Sequence, residues 1–353
     1  MPRNMNNQRA LAAWRARACA AAVACGAQIF CLGAGIAVPL GLNAAWLCAL
    51  PAVMLAALLA ARARGVRASL GAGRNMERLR ALLLCAVMLF SCLLLLAACV
   101  SLCTQTLLSH ARVIHCAALT LLFILLAAIP RMEGVCRLCF ALRLFLPAGL
   151  LLCMLTLLPR GAVSGLFPLL GTGAGPVSLG ALCMLPAAAP ALMLLLPGGE
   201  KDAGMLPRPG FFALRAGLGA LCGAGLLLLP ALFSGYEALR TQSVWGARLR
   251  LSAVGGGQKP LWHMALLLTQ FAAMTLGACA LLCAAEEAFS LAFPRLQRRR
   301  SGLLILAALL MAGLRLFSGI GYEAAMYAAP LIALPVPLLL LPAGKRKRKA
   351  ADR

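Results

Sequence analysis

Acidic residues are what this sequence has least of. Only 9 of its 353 residues are Asp or Glu, against 33 Lys and Arg, and none of the nine lies near the middle of an apolar run. Intramembrane carboxylates usually carry proton or cation coupling, so their absence argues against a strongly ion-coupled pump. Histidine is scarcer still. His110 and His115 are five apart, off the i, i+4 spacing of a helical metal pair, and His263 opens a later apolar run. They read as interfacial residues rather than metal ligands. Aromatics make up 6% of the chain, leaving few bulky side chains to shape a pocket. No polar stretch is long enough for a soluble domain, which excludes an appended ATPase or catalytic module. No P-loop, HExxH or GxSxG sequence occurs either. The chain therefore reads as a non-enzyme that needs no cofactor.

What is present is hydrocarbon. The chain is 63% hydrophobic with a mean hydropathy of +0.94, in successive runs of roughly twenty residues, the signature of a polytopic α-helical membrane protein. A β-barrel would need alternating segments of about ten residues, and these runs do not alternate. The formal charge of +24 would suggest nucleic acid in a soluble protein. Here the charges sit between the apolar runs, and no nucleic-acid partner is expected. The basic stretch Lys345 to Lys349 reads as a cytoplasmic retention signal beside a membrane helix. The sixteen cysteines fall almost wholly inside apolar runs and act as small packing residues. Cys136 and Cys139 form a lone CxxC, a weak motif without a second pair.

Ten spans fit the apolar runs, at about 18–40, 44–61, 81–103, 113–130, 138–158, 178–197, 211–233, 261–284, 302–319 and 323–342. With the N-terminus placed in the cytoplasm, 26 of the 33 Lys and Arg fall on that side. By the positive-inside rule both termini are then cytoplasmic, and membrane lipid is the surrounding partner. The sequence gives one integral membrane domain, 1–353, with a basic cytoplasmic tail at 343–353. The loop 234–260 is the sizeable outward one, and its Leu239, Trp245, Leu249 and Leu251 suit a short interfacial helix.

Ten spans divide into five and five, repeat one at about 18–158 and repeat two at about 178–342. The first span of each half carries helix breakers: Gly26, Gly33, Gly35 and Pro39 in one, Pro186 and Pro190 in the other. Paired interruptions at corresponding positions point to a midplane site in an inverted-repeat transporter fold. The alternative is that the glycines only allow helices to pack closely. A broken helix offers N–H groups to an anion and carbonyls to an ammonium, which suits a small zwitterion such as an amino acid. Gln28 is the main polar side chain near the breaks, with Thr269 and Gln270 in the eighth span as further inward-facing candidates.

Several stretches in chain order resemble one family. LGLNAAWLCALPA (Leu40 to Ala52) is similar to a segment ending in Asp-Ala-Trp before the second span. MEGVCRLCFALRLFLP (Met132 to Pro147) is similar, through Gly134, Arg137 and Pro147, to an approach to the fifth. FPLLGTGAGPVSLGAL (Phe167 to Leu182) is similar to the approach to the sixth. LLCAAEEAFSLAFP (Leu281 to Pro294) and PVPLLLLPAGKRKRK (Pro335 to Lys349) occupy the places of the family's eighth-span exit and basic tail. The family is the B subunit of spore germinant receptors, the GerAB-type germination permeases of the amino acid/polyamine/organocation (APC) transporter superfamily. The resemblance implies an all-α fold with a LeuT-like five-plus-five inverted repeat. It also implies a nutrient-sensing subunit in the spore inner membrane, working with A-type and C-type receptor subunits and binding an amino acid. Carried over by position, the pocket comprises Gly26, Ala27, Gln28 and Ile29 on the first span and Leu185, Pro186, Ala187, Ala188 and Ala189 on the sixth. Where family members carry aromatic-Gly-Glu, this chain has Ala188, Ala189 and Pro190. An amino acid permease of the same superfamily is the other function these features allow.

Overall fold

Apolar runs this long must satisfy their backbone internally, and the chain does so with helices. The computed structural model describes residues 2–37, 45–68, 74–104, 112–144, 148, 173–196, 209–241, 259–294 and 301–320. Five of the expected spans appear as α1 (Pro2–Ala37), α2 (Ala45–Ala68), α3 (Arg74–Leu102), α4 (Val113–Ala128) and, in part, α5 (Arg131–Ala141). The sixth is α6 (Ala174–Met184) running directly into a 3-10 segment, Leu185–Leu195. The seventh to ninth are α7 (Pro209–Thr241), α8 (Lys259–Ala292) and α9 (Ser301–Ile320). The tenth, 323–342, and the basic tail lie outside the described residues. Among the described residues, by length and composition five helical stretches can cross a membrane, or six if α4 and α5 are counted as one bent span, and 46–62 and 302–316 are shorter apolar helices. The protein is an all-α polytopic membrane protein.

Its contacts carry the symmetry expected of two inverted halves. Among the described residues four first-half elements pack on their second-half counterparts: α1 on the 3-10 segment, α2 on α7, α3 on α8 and α4 on α9. The cross-contacts are also reciprocal. The first span touches the seventh and the second touches the sixth; the first touches the eighth and the third touches the sixth. A pseudo-two-fold relation between the described parts of the two halves is consistent with this pattern, whereas a linear bundle of sequential neighbours is not.

Two local departures from the expected spans have identifiable causes. The chain bends by 99° between α4 and α5, where Arg131 sits in the left-handed region at φ 63° directly after Pro130. A Cβ on Gly134 would collide with the Pro130 ring, so the corner needs glycine there. Helix α5 consequently starts at 131 rather than 138, and buries Met132, Val135, Cys136 and Cys139. Positions 145–147 and 149–158 of that expected span lie outside the described residues. Helix α7 in turn runs on to Thr241, past the expected end at 233, so the start of the stretch 234–260, expected as a loop, is helical.

The expected interruption of the first span is corrected by the structure. Helix α1 is continuous from Pro2 to Ala37, through Gly26, Gly33 and Gly35; Pro39 lies outside the described residues. Its glycines serve a helix crossing instead. A Cβ on Gly219 would meet the Ala22 carbonyl, one on Gly223 the Gly26 carbonyl, and one on Gly26 the Gly219 carbonyl. Ala22-x-x-x-Gly26 and Gly219-x-x-x-Gly223 thus bring two backbones into direct contact, the small-xxx-small mode of membrane helix pairing. Gly33 is filled in the same way by Leu227.

Candidate functional site

The sixth span changes helix type where its prolines fall. The α-helix ends at Met184 and eleven residues of 3-10 helix follow, with Pro186 near its start and Pro190 inside it. Runs of 3-10 helix beyond three or four residues are uncommon, and a long one marks a strained or functional segment. Pro190 has no N–H to close the i to i+3 bond onto Ala187, so that carbonyl is released from the ladder. The segment is deeply enclosed: Pro186 to Leu195 are all buried, and only Leu185 is partly accessible.

Helix α1 lies antiparallel against this segment, fixed at two points. Arg17 donates from Nη1 to the Leu196 carbonyl at 2.8 Å, and the Cys25 thiol meets the backbone of Ala191. Eight residues of α-helix, about 12 Å, match five of 3-10 helix, about 10 Å. Continued at the same ratio, Gln28 comes level with Ala188 and Ala189. Arg17, Ala21, Ala24 and Gln28 follow i, i+4, i+7, i+11 spacing and share one stripe of α1. Ala24 on that stripe packs against Gly277 of α8. Gln28 therefore looks into the seam between α8 and the 3-10 segment. It is fully buried, and neither amide atom of its side chain has a hydrogen-bond partner among the described residues. An unpartnered buried amide costs about 1–3 kcal/mol, so it needs a reason. Ile29 is also fully buried.

Three residues absent from the sequence-based site join it. Ser91 on α3 is fully buried with an unpartnered hydroxyl, one turn from Leu95, which packs on Gly277. It is the one hydroxyl in the apolar run LLLCAVMLFSCLLLLAACV, a signal available in the sequence. Arg17 and Glu287 pair across α1 and α8, with Nη2 to Oε2 at 3.1 Å and Nη2 to Oε1 at 3.2 Å. Because Arg17 also holds the Leu196 carbonyl, one guanidinium ties three spans at the end of the seam. Side-chain exposures of 12% and 23% put this clasp at the border of the buried interior. Nothing in the sequence joins residues 270 positions apart.

A separate cavity of about 470 Å³ opens between α1, α7 and α8. Gly26 and Ala27 line it, together with Thr269 and Gln270; Gln28, Ile29 and Leu185 to Ala189 do not. The structure thus splits the nine sequence-derived positions: two on the cavity wall and the other seven away from it. Among the described residues no group of three His, Cys, Asp or Glu side chains is arranged to hold a metal ion.

No protein-family model matches the sequence, and no curated protein matches it. Solved structures do match the fold. A manganese transporter of Eremococcus coleocola, in complex with an aromatic bis-isothiourea substituted compound, superposes with a TM-score of 0.55 at 15% identity, over 94% of this chain and 78% of that one. A nucleobase-cation-symport-1 family transporter, closed on bound bromovinylhydantoin, superposes with a TM-score of 0.53 at 14% identity, over 94% and 76%. The shared feature is the fold: this chain has the LeuT-type transporter architecture of an integral, multi-pass membrane protein.

Proposed function

We propose that this protein binds a small zwitterion, an amino acid, in the seam between α1 and the 3-10 segment, and uses the transporter fold to sense it. The observation that carries the proposal is the buried, unpartnered amide of Gln28 level with a backbone that Pro190 has opened. An ammonium group suits the Ala187 carbonyl and Gln28 Oε1, and a carboxylate suits Gln28 Nε2. The pocket we assign comprises Gly26, Ala27, Gln28 and Ile29 with Leu185, Pro186, Ala187, Ala188 and Ala189. The two repeats are assigned to about 18–158 and 178–342, and both termini to the cytoplasm.

The resemblance to germinant-receptor B subunits gives the sensing role its setting, the spore inner membrane beside A-type and C-type subunits. The scarcity of carboxylates inside the spans supports sensing over coupled uptake. The second reading, an amino acid permease, is favoured by the transporter function of the structural neighbours. The two part on flux. Proteoliposomes containing the protein are offered labelled amino acids. Binding without steady, protein-dependent accumulation supports the sensor, and steady accumulation establishes the permease. Loss of germination to one nutrient in a deletion strain identifies the nutrient.

A further inference from the structure

The cavity between α1, α7 and α8 has a pattern the zwitterion site does not use. Its wall is apolar over most of its length: Val23 and Phe30 from α1, Leu218 and Leu226 from α7, Ala273 and Met274 from α8. Two guanidiniums, Arg143 and Arg215, stand at one end. That end is fixed by Cys19, whose sulfur receives Arg215 Nη1 at 2.7 Å and lies within electrostatic reach of Arg143. Phe30, on the opposite stretch of wall, is eleven residues along α1, about 16 Å away. Each arginine is stacked on a phenylalanine, Arg215 Cζ 4.4 Å from the Phe211 ring and Arg143 Cζ 3.7 Å from the Phe140 ring. Arg215 also donates from Nη1 to the Arg15 carbonyl at 3.4 Å. Among the described residues no carboxylate pairs with Arg215 or with Arg143, the ion pairs there being Arg17 with Glu287 and Arg137 with Glu133. The lip carries exposed apolar side chains, Leu144 at 70% and Leu218 at 52%.

We propose that this cavity is a binding site for one anionic phospholipid, its phosphate on Arg143 and Arg215 and an acyl chain along the α1, α7 and α8 wall. Charge complementarity selects the occupant. An apolar groove of this length with two ring-stacked, uncompensated guanidiniums at one mouth matches a molecule that is anionic at one end and hydrocarbon beyond it. Guanidinium binds phosphate oxygens in a bidentate manner, and stacking on a ring holds the fork in place. Basic pockets between membrane helices at the positive end of a bundle are where anionic head groups dock. The site is distinct from the seam of Gln28, although Gly26 and Ala27 line its wall. It places a lipid against the α1–α7 crossing, where it packs beside the contact of Gly26 with Gly219 and Gly223.

Native mass spectrometry of the full-length protein, delipidated in detergent and titrated with phosphatidylglycerol or phosphatidylcholine, tests this. The expected result is one phosphatidylglycerol retained at least tenfold more strongly than phosphatidylcholine, with that preference reduced to threefold or less in the R143Q/R215Q double variant. Inorganic phosphate at millimolar excess is expected not to displace the lipid. Equal retention of the two lipids, an unchanged preference in the double variant, or displacement by phosphate alone would overturn the proposal. If the double variant does not fold, the wild-type protein is labelled with a phosphatidylglycerol carrying a diazirine in its acyl chain. Adducts on Val23, Leu226 or Met274 uphold the site, and adducts confined to other helices refute it.

Discussion

At the scale of single residues, Gln28 is the side chain the site reading depends on. A buried amide without partners destabilises the empty protein by about 1–3 kcal/mol, so its removal separates fold from function. Gln28→Leu, similar in volume, is expected to leave thermal stability equal or higher in detergent while weakening ligand binding at least tenfold. A parallel loss of both would show that Gln28 serves the fold. Ala187 and Ala188 are fully buried, and a ring at either position fills the seam. Ala188→Phe is expected to abolish the nutrient response with membrane insertion intact; normal germination to the native nutrient would show the pocket lies elsewhere. Gln28 was legible in the sequence as the polar residue among apolar neighbours. Ser91 was equally legible and Arg17 was not, because its partners come from distant parts of the chain.

At the scale of elements, proline was a true signal and glycine a misleading one. Pro186 and Pro190 remove donors from the backbone whatever surrounds them, and the change to 3-10 helix falls at Leu185 beside them, although Pro51 lies inside an unbroken α2. Gly26 and Gly33 have no such obligation. They sit in an unbroken α1 because Gly219, Gly223 and Leu227 of α7 fill the space a side chain would take, and a partner helix cannot be read from the span itself. Both elements are testable. Pro190→Ala restores the N–H opposite Ala187 and is expected to raise thermal stability while reducing ligand binding at least fivefold; unchanged binding would remove the carbonyl from the site. Gly219→Val drives a branched side chain into the Ala22 backbone. Overpacking of this kind costs about 1–3 kcal/mol, so the variant is expected to unfold at lower temperature and to purify in reduced yield. An unaltered melting curve would mean the α1–α7 crossing is looser than the structure has it.

At the scale of the whole molecule, the all-α polytopic fold was readable because it needs only the number and length of the apolar runs, whereas the break expected in the first span is absent from α1. The contacts of α1, α2 and α3 with the 3-10 segment, α7 and α8 are reciprocal among the described residues. The clasp of Arg17, Glu287 and the Leu196 carbonyl was not readable, yet it joins spans from both halves at one end of the seam. Removing one member of a largely buried pair leaves the other charge uncompensated. Glu287→Gln is therefore expected to lower the melting temperature more than the R17Q/E287Q double variant does, by differential scanning fluorimetry. Equal shifts would mean that the two charges do not act as a pair.

The central claim is that the enclosed seam, and not merely the fold, recognises an amino acid. Equilibrium binding of a panel of labelled amino acids to the detergent-purified protein, wild type beside Gln28→Leu, tests it most directly. The account predicts that at least one amino acid binds saturably with one site per chain, and that the variant binds it at least tenfold more weakly. Absence of binding by the wild type across the panel, or equal binding by the variant, would contradict it.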